Sequence, residues 1–283
     1  MARKKEVIEN PTLKSLSGSL NRYSLYSTFA YYGGSLEKPA SAERPNILNA
    51  AETPSLVNVA GNLGIKYRLT EKDNLSLQMG LYSIAPFHSS FTSGDPRVQA
   101  DYDKNGQNVD VDDPVGSYFR TYTIGGLQNI SFLKYQHVTR GIYRDFGLNS
   151  VLSYSHAAAY KIAPFAYLAA SLTYENYQYD KNDAVFRGRT IPLAPLQTEH
   201  TFRGNLSAEV YTSEKVSFRL ISDVFSYFRM KKEPKFERRG LQQTVAMTYF
   251  FNRDISLSPN VRFIAEDIRV DRTNVGLTLN LNL

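Results

Sequence analysis

The chain has 283 residues, 33 Lys and Arg against 27 Asp and Glu, no Cys and no Trp, but 20 Tyr and 16 Phe. Without cysteine there is no disulfide framework, thiolate metal site or cysteine nucleophile, and no stretch approaches the roughly 18 to 20 uninterrupted apolar residues of a membrane helix. The formal net charge of +6 is spread over many short segments with no recognisable motif, so no nucleic-acid partner is expected.

In chain order, residues 1–5 carry the charge that opens a signal peptide. Residues 6–10 lack the apolar core that should come next, so the start reads as mature chain. Residues 1–19 form an N-terminal segment expected in the periplasm or inside a barrel lumen, and residues 20–32 form a first strand. From residue 57 the pattern has period two: Val57, Val59, Leu63 and Ile65 share one face, and Asn58, Asn62, Lys66 and Arg68 the other. A polar turn at 70–74 leads to Leu75, Leu77, Met79 and Leu81, which resume the alternation. Two weaker strands are expected at 117–124 and 130–138, where Lys134 falls among Ile130, Phe132 and Val138. Three further hairpins pair 147–160 with 165–179, 200–211 with 216–229, and 241–251 with 256–266. The final strand is 273–283.

Each hairpin closes through a tight turn, whereas 33–54, 89–116, 180–199 and 230–240 are long polar connections. Short turns on one side and long loops on the other are the asymmetry of outer-membrane barrels. A mean hydropathy of −0.37 agrees with this, because only alternate residues of such strands meet lipid. The fold expected over residues 20–283 is all-β: a closed antiparallel transmembrane β-barrel of twelve strands, or ten without the weak pair, with short periplasmic turns and long extracellular loops. Tyr31, Tyr32, Phe87, Tyr118, Phe119, Tyr177, Tyr179, Tyr227, Phe228, Phe250 and Phe251 fall near strand ends, where aromatic girdles form.

The last ten residues place Val275, Leu277, Leu279, Leu281 and Leu283 on one face, with Asn274, Gly276, Thr278, Asn280 and Asn282 on the other. Asn274, Gly276, Leu279 and Leu281 resemble the C-terminal assembly signal of bacterial outer-membrane β-barrel proteins, although that signal usually ends on an aromatic residue and this chain ends on Leu283. The resemblance implies the bacterial cell outer membrane as location, and outer-membrane lipid and the barrel-assembly machinery as partners.

Expected to face the aqueous interior are Lys66, Arg68, Arg203, Arg219 and Arg262, opposed by Glu209 and Asp223. Opposed charges across a lumen set a transverse field, and the basic excess favours anions; the same charges can equally brace a filled lumen. Asp101, Asp103, Asn105, Gln107, Asp110 and Asp112 lie at spacings at which hard oxygen ligands can wrap one Ca²⁺, with Gly106 as the turn; this resembles an EF-hand-type loop with Asp112 in place of Glu. Arg229, Lys231, Lys232, Lys235, Arg238 and Arg239 form a cluster suited to lipopolysaccharide phosphates. Ser155 and His156 are strand neighbours on opposite faces, which forbids a direct nucleophile–base pair, and no motif surrounds His88, His137 or His200. Three functions remain open: a channel passing small polar or anionic solutes by passive diffusion, a structural or adhesive barrel with calcium-stiffened loops, and an outer-membrane lipid-modifying enzyme.

Overall fold

A computed structural model describes residues 6–47, 55–106, 108–186 and 189–283. Twelve strands form the barrel: β1 (Ser27–Ser35), β2 (Asn58–Arg68), β3 (Asp73–Ile84), β4 (Val109–Ile124), β5 (Leu127–His137), β6 (Leu148–Ala163), β7 (Ala166–Tyr179), β8 (Thr198–Tyr211), β9 (Val216–Met230), β10 (Gln243–Phe250), β11 (Ile255–Phe263) and β12 (Asn274–Leu281). Each pairs antiparallel with its chain neighbour. The ring closes through β12 and β1, with Leu277 opposite Tyr31 and Leu281 opposite Ser27. An even strand number brings both ends of the barrel to the same side as the short turns.

The apolar face of each strand is turned outward. Leu63, Ile65, Leu77, Leu133, Leu168, Leu206, Leu220 and Leu277 are all exposed, the reverse of a water-soluble domain, because the surrounding medium is lipid. On the final strand Thr278 and Asn280 line an internal cavity, so the expected register holds there.

Several boundaries differ from those expected. The first barrel strand starts at Ser27. Ahead of it, Tyr23–Leu25 is a separate short strand pairing with Ile65 to Tyr67 of β2. β4 starts at Val109, inside the long loop expected at 89–116. Its first half, with Pro114 and three aspartates, reads as loop, yet it pairs with β3 through a bulge opposite Met79 and Leu81; a bulge is where a sheet tolerates Pro. β4 and β5 are joined by Gly125 and Gly126 alone, at φ +56° and +85°. A two-residue hairpin of that hand needs positive φ at both positions, which glycine adopts without strain.

Three of the aromatic side chains expected in the girdles lie inside the barrel instead. Phe119 is fully buried, Phe250 is buried against the interior cavity, and Tyr32 lines cavities inside the wall. Inside the barrel, Ile8 and Leu13 pack with Phe119, Ile130, Ala159 and Tyr167 in one apolar cluster.

Arginine in place of lipid-facing Leu277 should cost about 2–4 kcal/mol of barrel stability, the penalty for a cation near the bilayer midplane. Thr278→Ser on the lumen side should cost under about 1 kcal/mol. Urea unfolding from liposomes measures both; equal costs would mean the register is wrong.

Candidate functional site in the lumen

The turn end of the lumen is occupied by residues 6–19, which include helix α1 (Pro11–Ser17). Asn10 caps it, its Oδ1 accepting from Leu13 N at 2.8 Å, with Pro11 in the first turn, where its missing N–H costs nothing. Approaching the helix, the backbone N–H groups of Glu9 and Asn10 both donate to Gln128 Oε1 of β5, at 2.6 and 2.7 Å. Across the lumen, Glu209 of β8 accepts from Thr12 Oγ1 at 2.7 Å, Asn10 Nδ2 at 3.3 Å and Ser217 Oγ at 2.9 Å. Ser15 Oγ lies 3.3 Å from Ser256 Oγ of β11, and Asn282 Nδ2 donates to Ser15 O at 2.9 Å. Arg253, in the turn before β11, reaches Glu6 at 2.7 Å and Gly18 O at 2.6 Å. The segment is therefore anchored on several sides of the ring.

These contacts divide the seven residues expected to meet solute. Lys66, 1% exposed, donates to Ser17 O at 3.2 Å and to Ser19 O; Arg68 Nη1 donates to Leu20 O at 3.0 Å. With Glu209, 4% exposed, they hold the N-terminal segment. Arg203, Arg219, Asp223 and Arg262 instead surround a cavity of about 490 Å³ with Thr12, Ser15 and Leu16 of the segment at its boundary. Arg203 Nη2 bonds Glu175 at 3.2 Å, a carboxylate that also accepts from Thr201 and Tyr177. Among the described residues, Arg219 and Arg262 meet no carboxylate, and Arg219 Nε is buried without a hydrogen-bond partner.

A second cavity, about 430 Å³, shares Thr28 with the first and is lined by Asp112, Asp113, Glu175 and Lys134. Asp113 is held by Gln136 at 2.7 Å and by the N–H groups of Thr139 and Arg140 at 2.6 and 3.1 Å. Arg203 of β8, Arg219 of β9 and Arg262 of β11 thus line the first cavity with Asp223, the carboxylates of β4 and β7 line the second with Lys134, and the Arg203–Glu175 bond joins the two groups.

Of the residues expected to bind calcium, Asp101, Asp103 and Asn105 have their backbone in helix α2 (Pro96–Asn105), and Asp110 and Asp112 lie in β4. A helix stands where the EF-hand-like spacing calls for a wrapped loop. Gln107 lies outside the described residues. Asp103 accepts from Gln99 at 2.7 Å and Asp110 from Tyr82 at 3.2 Å. In the basic cluster Arg229 bonds Glu199 at 2.8 Å and Arg239 packs on Phe228, while Lys235 and Arg238 are exposed.

His156 does contact a serine, Ser131 across the strand pair rather than Ser155, with Oγ to Nδ1 at 2.9 Å. Among the described residues no carboxylate orients that ring, so the third member of a nucleophilic triad is missing. The plug contacts were not expected in detail, but two signals were present. One is the Asn10–Pro11 cap before Leu13 and Leu16. The other is the poor alternation of β4 and β5, whose lumen side carries Phe119, Ile130 and Phe132 because the segment packs there.

No family model and no curated protein matches the sequence. Among solved structures, the COG4313 outer membrane channel from Pseudomonas putida F1 superposes with a TM-score of 0.58 at 14% identity, over 93% of this chain and 97% of that one. The likeness is one of fold. Salmonella typhi OmpF in complex with daunomycin aligns over 92% of this chain and 96% of its own at 10% identity, with a TM-score of 0.37, too low to bear on architecture.

Aspartate at Leu13 would place a carboxylate in the apolar cluster and should release the segment. Trypsin cleavage after Lys14 should then speed up by at least roughly tenfold while the barrel stays folded. Mass spectrometry of the digest reads this, and an unchanged rate would mean the segment is not held as described.

Proposed function

We propose that this protein is a channel of the bacterial outer membrane, passing small polar or anionic solutes by passive diffusion, with its N-terminal segment as an internal plug. The observation that carries the reading is the pair of guanidinium groups, Arg219 and Arg262, which line a cavity of about 490 Å³ and, among the described residues, form an ion pair neither with Asp223 across it nor with any other carboxylate. Charges that only braced a filled lumen would be paired, as Arg203 is with Glu175. A fold shared with a protein described as an outer membrane channel supports the reading.

In this scheme the solute enters from the long-loop end, where guanidinium groups lower the energy of an anion and the carboxylates opposite align its dipole. Because the segment occupies the turn end, passage requires it to shift or to leave a gap beside it. Its anchors are hydrogen bonds, the ion pairs of Arg253 with Glu6 and of Lys161 with Glu9, and a small apolar cluster, with no disulfide, so it can move without opening the barrel. The apolar exterior meets outer-membrane lipid, the terminal strand is presented to the assembly machinery, and the exposed Lys235 and Arg238 are positioned to meet lipopolysaccharide phosphates.

Planar bilayers under a potassium chloride gradient provide the test. Discrete conductance steps with a reversal potential on the anion side are expected, moving toward the cation side in Arg219→Ala with Arg262→Ala. A bilayer that stays sealed, or a reversal potential that the double substitution leaves in place, would overturn the reading.

A further inference from the structure

Arg262 also borders a third cavity, of about 340 Å³, where the loop after β1 folds back against the barrel wall. Arg44 enters it from that loop. Its backbone is held by a short ladder, Glu43 opposite Leu56 and Arg44 opposite Ser55, and Asn274 Nδ2 donates to the next carbonyl, Pro45 O, at 3.1 Å. Both guanidinium groups lie on one aromatic ring: Cζ of Arg44 is 5.3 Å and Cζ of Arg262 4.6 Å from the centroid of Tyr32. Two like charges converging on one ring repel, and the ring offsets only part of that cost. Burial and the Arg262 charge hold the Arg44 guanidinium below its ordinary pKa. Among the described residues neither arginine meets a carboxylate, and Arg44 Nε is buried with no hydrogen-bond partner. Asn46, Asn58 and Gln242 supply amides to the same space, and Gln242, like Arg262, also borders the cavity of about 490 Å³.

We infer that Arg44 and Arg262, sharing the Tyr32 ring, form a binding subsite for the oxyanion of a small organic acid, a carboxylate or phosphate whose hydroxylated body meets the amides of Asn46, Asn58 and Gln242. An oxyanion supplies the acceptors the buried Nε lacks and removes the repulsion between the two cations, and guanidinium forks suit both groups. The subsite rests on the channel reading and names its solute class: the anion is held beside the loop before it enters the larger cavity through Arg262.

Equilibrium dialysis of the detergent-solubilised full chain against labelled glucuronate, glucose 6-phosphate and glucose tests it without any need for conduction. Saturable binding of the two anions and none of glucose is expected. Arg44→Gln and Arg262→Gln should each weaken binding by roughly tenfold or more, and Arg44→Lys, which keeps the charge but loses the fork, should fall between. Heat-modifiable gel mobility confirms that each variant is folded. No saturable anion binding, equal binding of glucose, or unchanged binding in folded Arg44→Gln and Arg262→Gln would overturn the subsite. Chloride conductance of the same preparations separates the two readings: conductance without anion binding removes the subsite alone, and binding with a sealed bilayer removes the channel alone.

Discussion

A peptide group in hydrocarbon has no water to replace a lost partner, so a sheet that spans a membrane must close. Here closure is the pairing of β12 with β1, from Leu281 opposite Ser27 to Leu277 opposite Tyr31 and beyond. Once the ring is closed, strand alternation assigns every other residue to lipid or lumen, and a slip of one residue would exchange the two. Closure over an even number of strands also puts the short turns and the start of β1 at one end. The segment ahead of β1 can therefore fold back into the same opening, steered by the pairing of Tyr23 with Tyr67.

The interior then has two environments. Near the turns it is a small protein core, in which Ile8 and Leu13 lie against Phe119, Ile130, Ala159 and Tyr167. Burying such side chains is worth about 1.5–3 kcal/mol each. The buried carboxylate of Glu209 is tolerated because Thr12, Asn10 and Ser217 all donate to it. Beyond α1 the interior is polar and holds the cavity that Arg203, Arg219, Arg262 and Asp223 share with Thr28, Thr278 and Asn280. One set of inward charges locks the segment, and the other faces space.

The architecture was legible wherever one face met lipid and the other met water. β12, β2 and the hairpins from β6 to β11 follow period two, and their turns lie close to where composition puts them. Legibility failed where both faces were buried or neither pattern was clean. Phe119, Ile130 and Phe132 point inward against the plug, so β4 and β5 looked weak for a reason that only tertiary packing supplies. Asp110, Asp112, Asp113 and Pro114 look like loop, and only the bulge against β3 makes them strand. The site was half legible: parity alone put seven charges inside. Which of them serve the segment and which face a cavity depends on where residues 6–19 dock, and Arg44, from a loop with no strand periodicity, carried no signal.

Residues 6–19 sit inside the lumen and occupy its turn end. The chain has no native cysteine, so Ser15→Cys with Ser256→Cys gives an unambiguous pair at positions whose hydroxyls lie 3.3 Å apart. Oxidation should form the disulfide almost quantitatively in the folded barrel and lower single-channel conductance, and reduction should restore it. Failure of the disulfide to form, or conductance indifferent to it, would mean that the segment does not lie in the lumen as described.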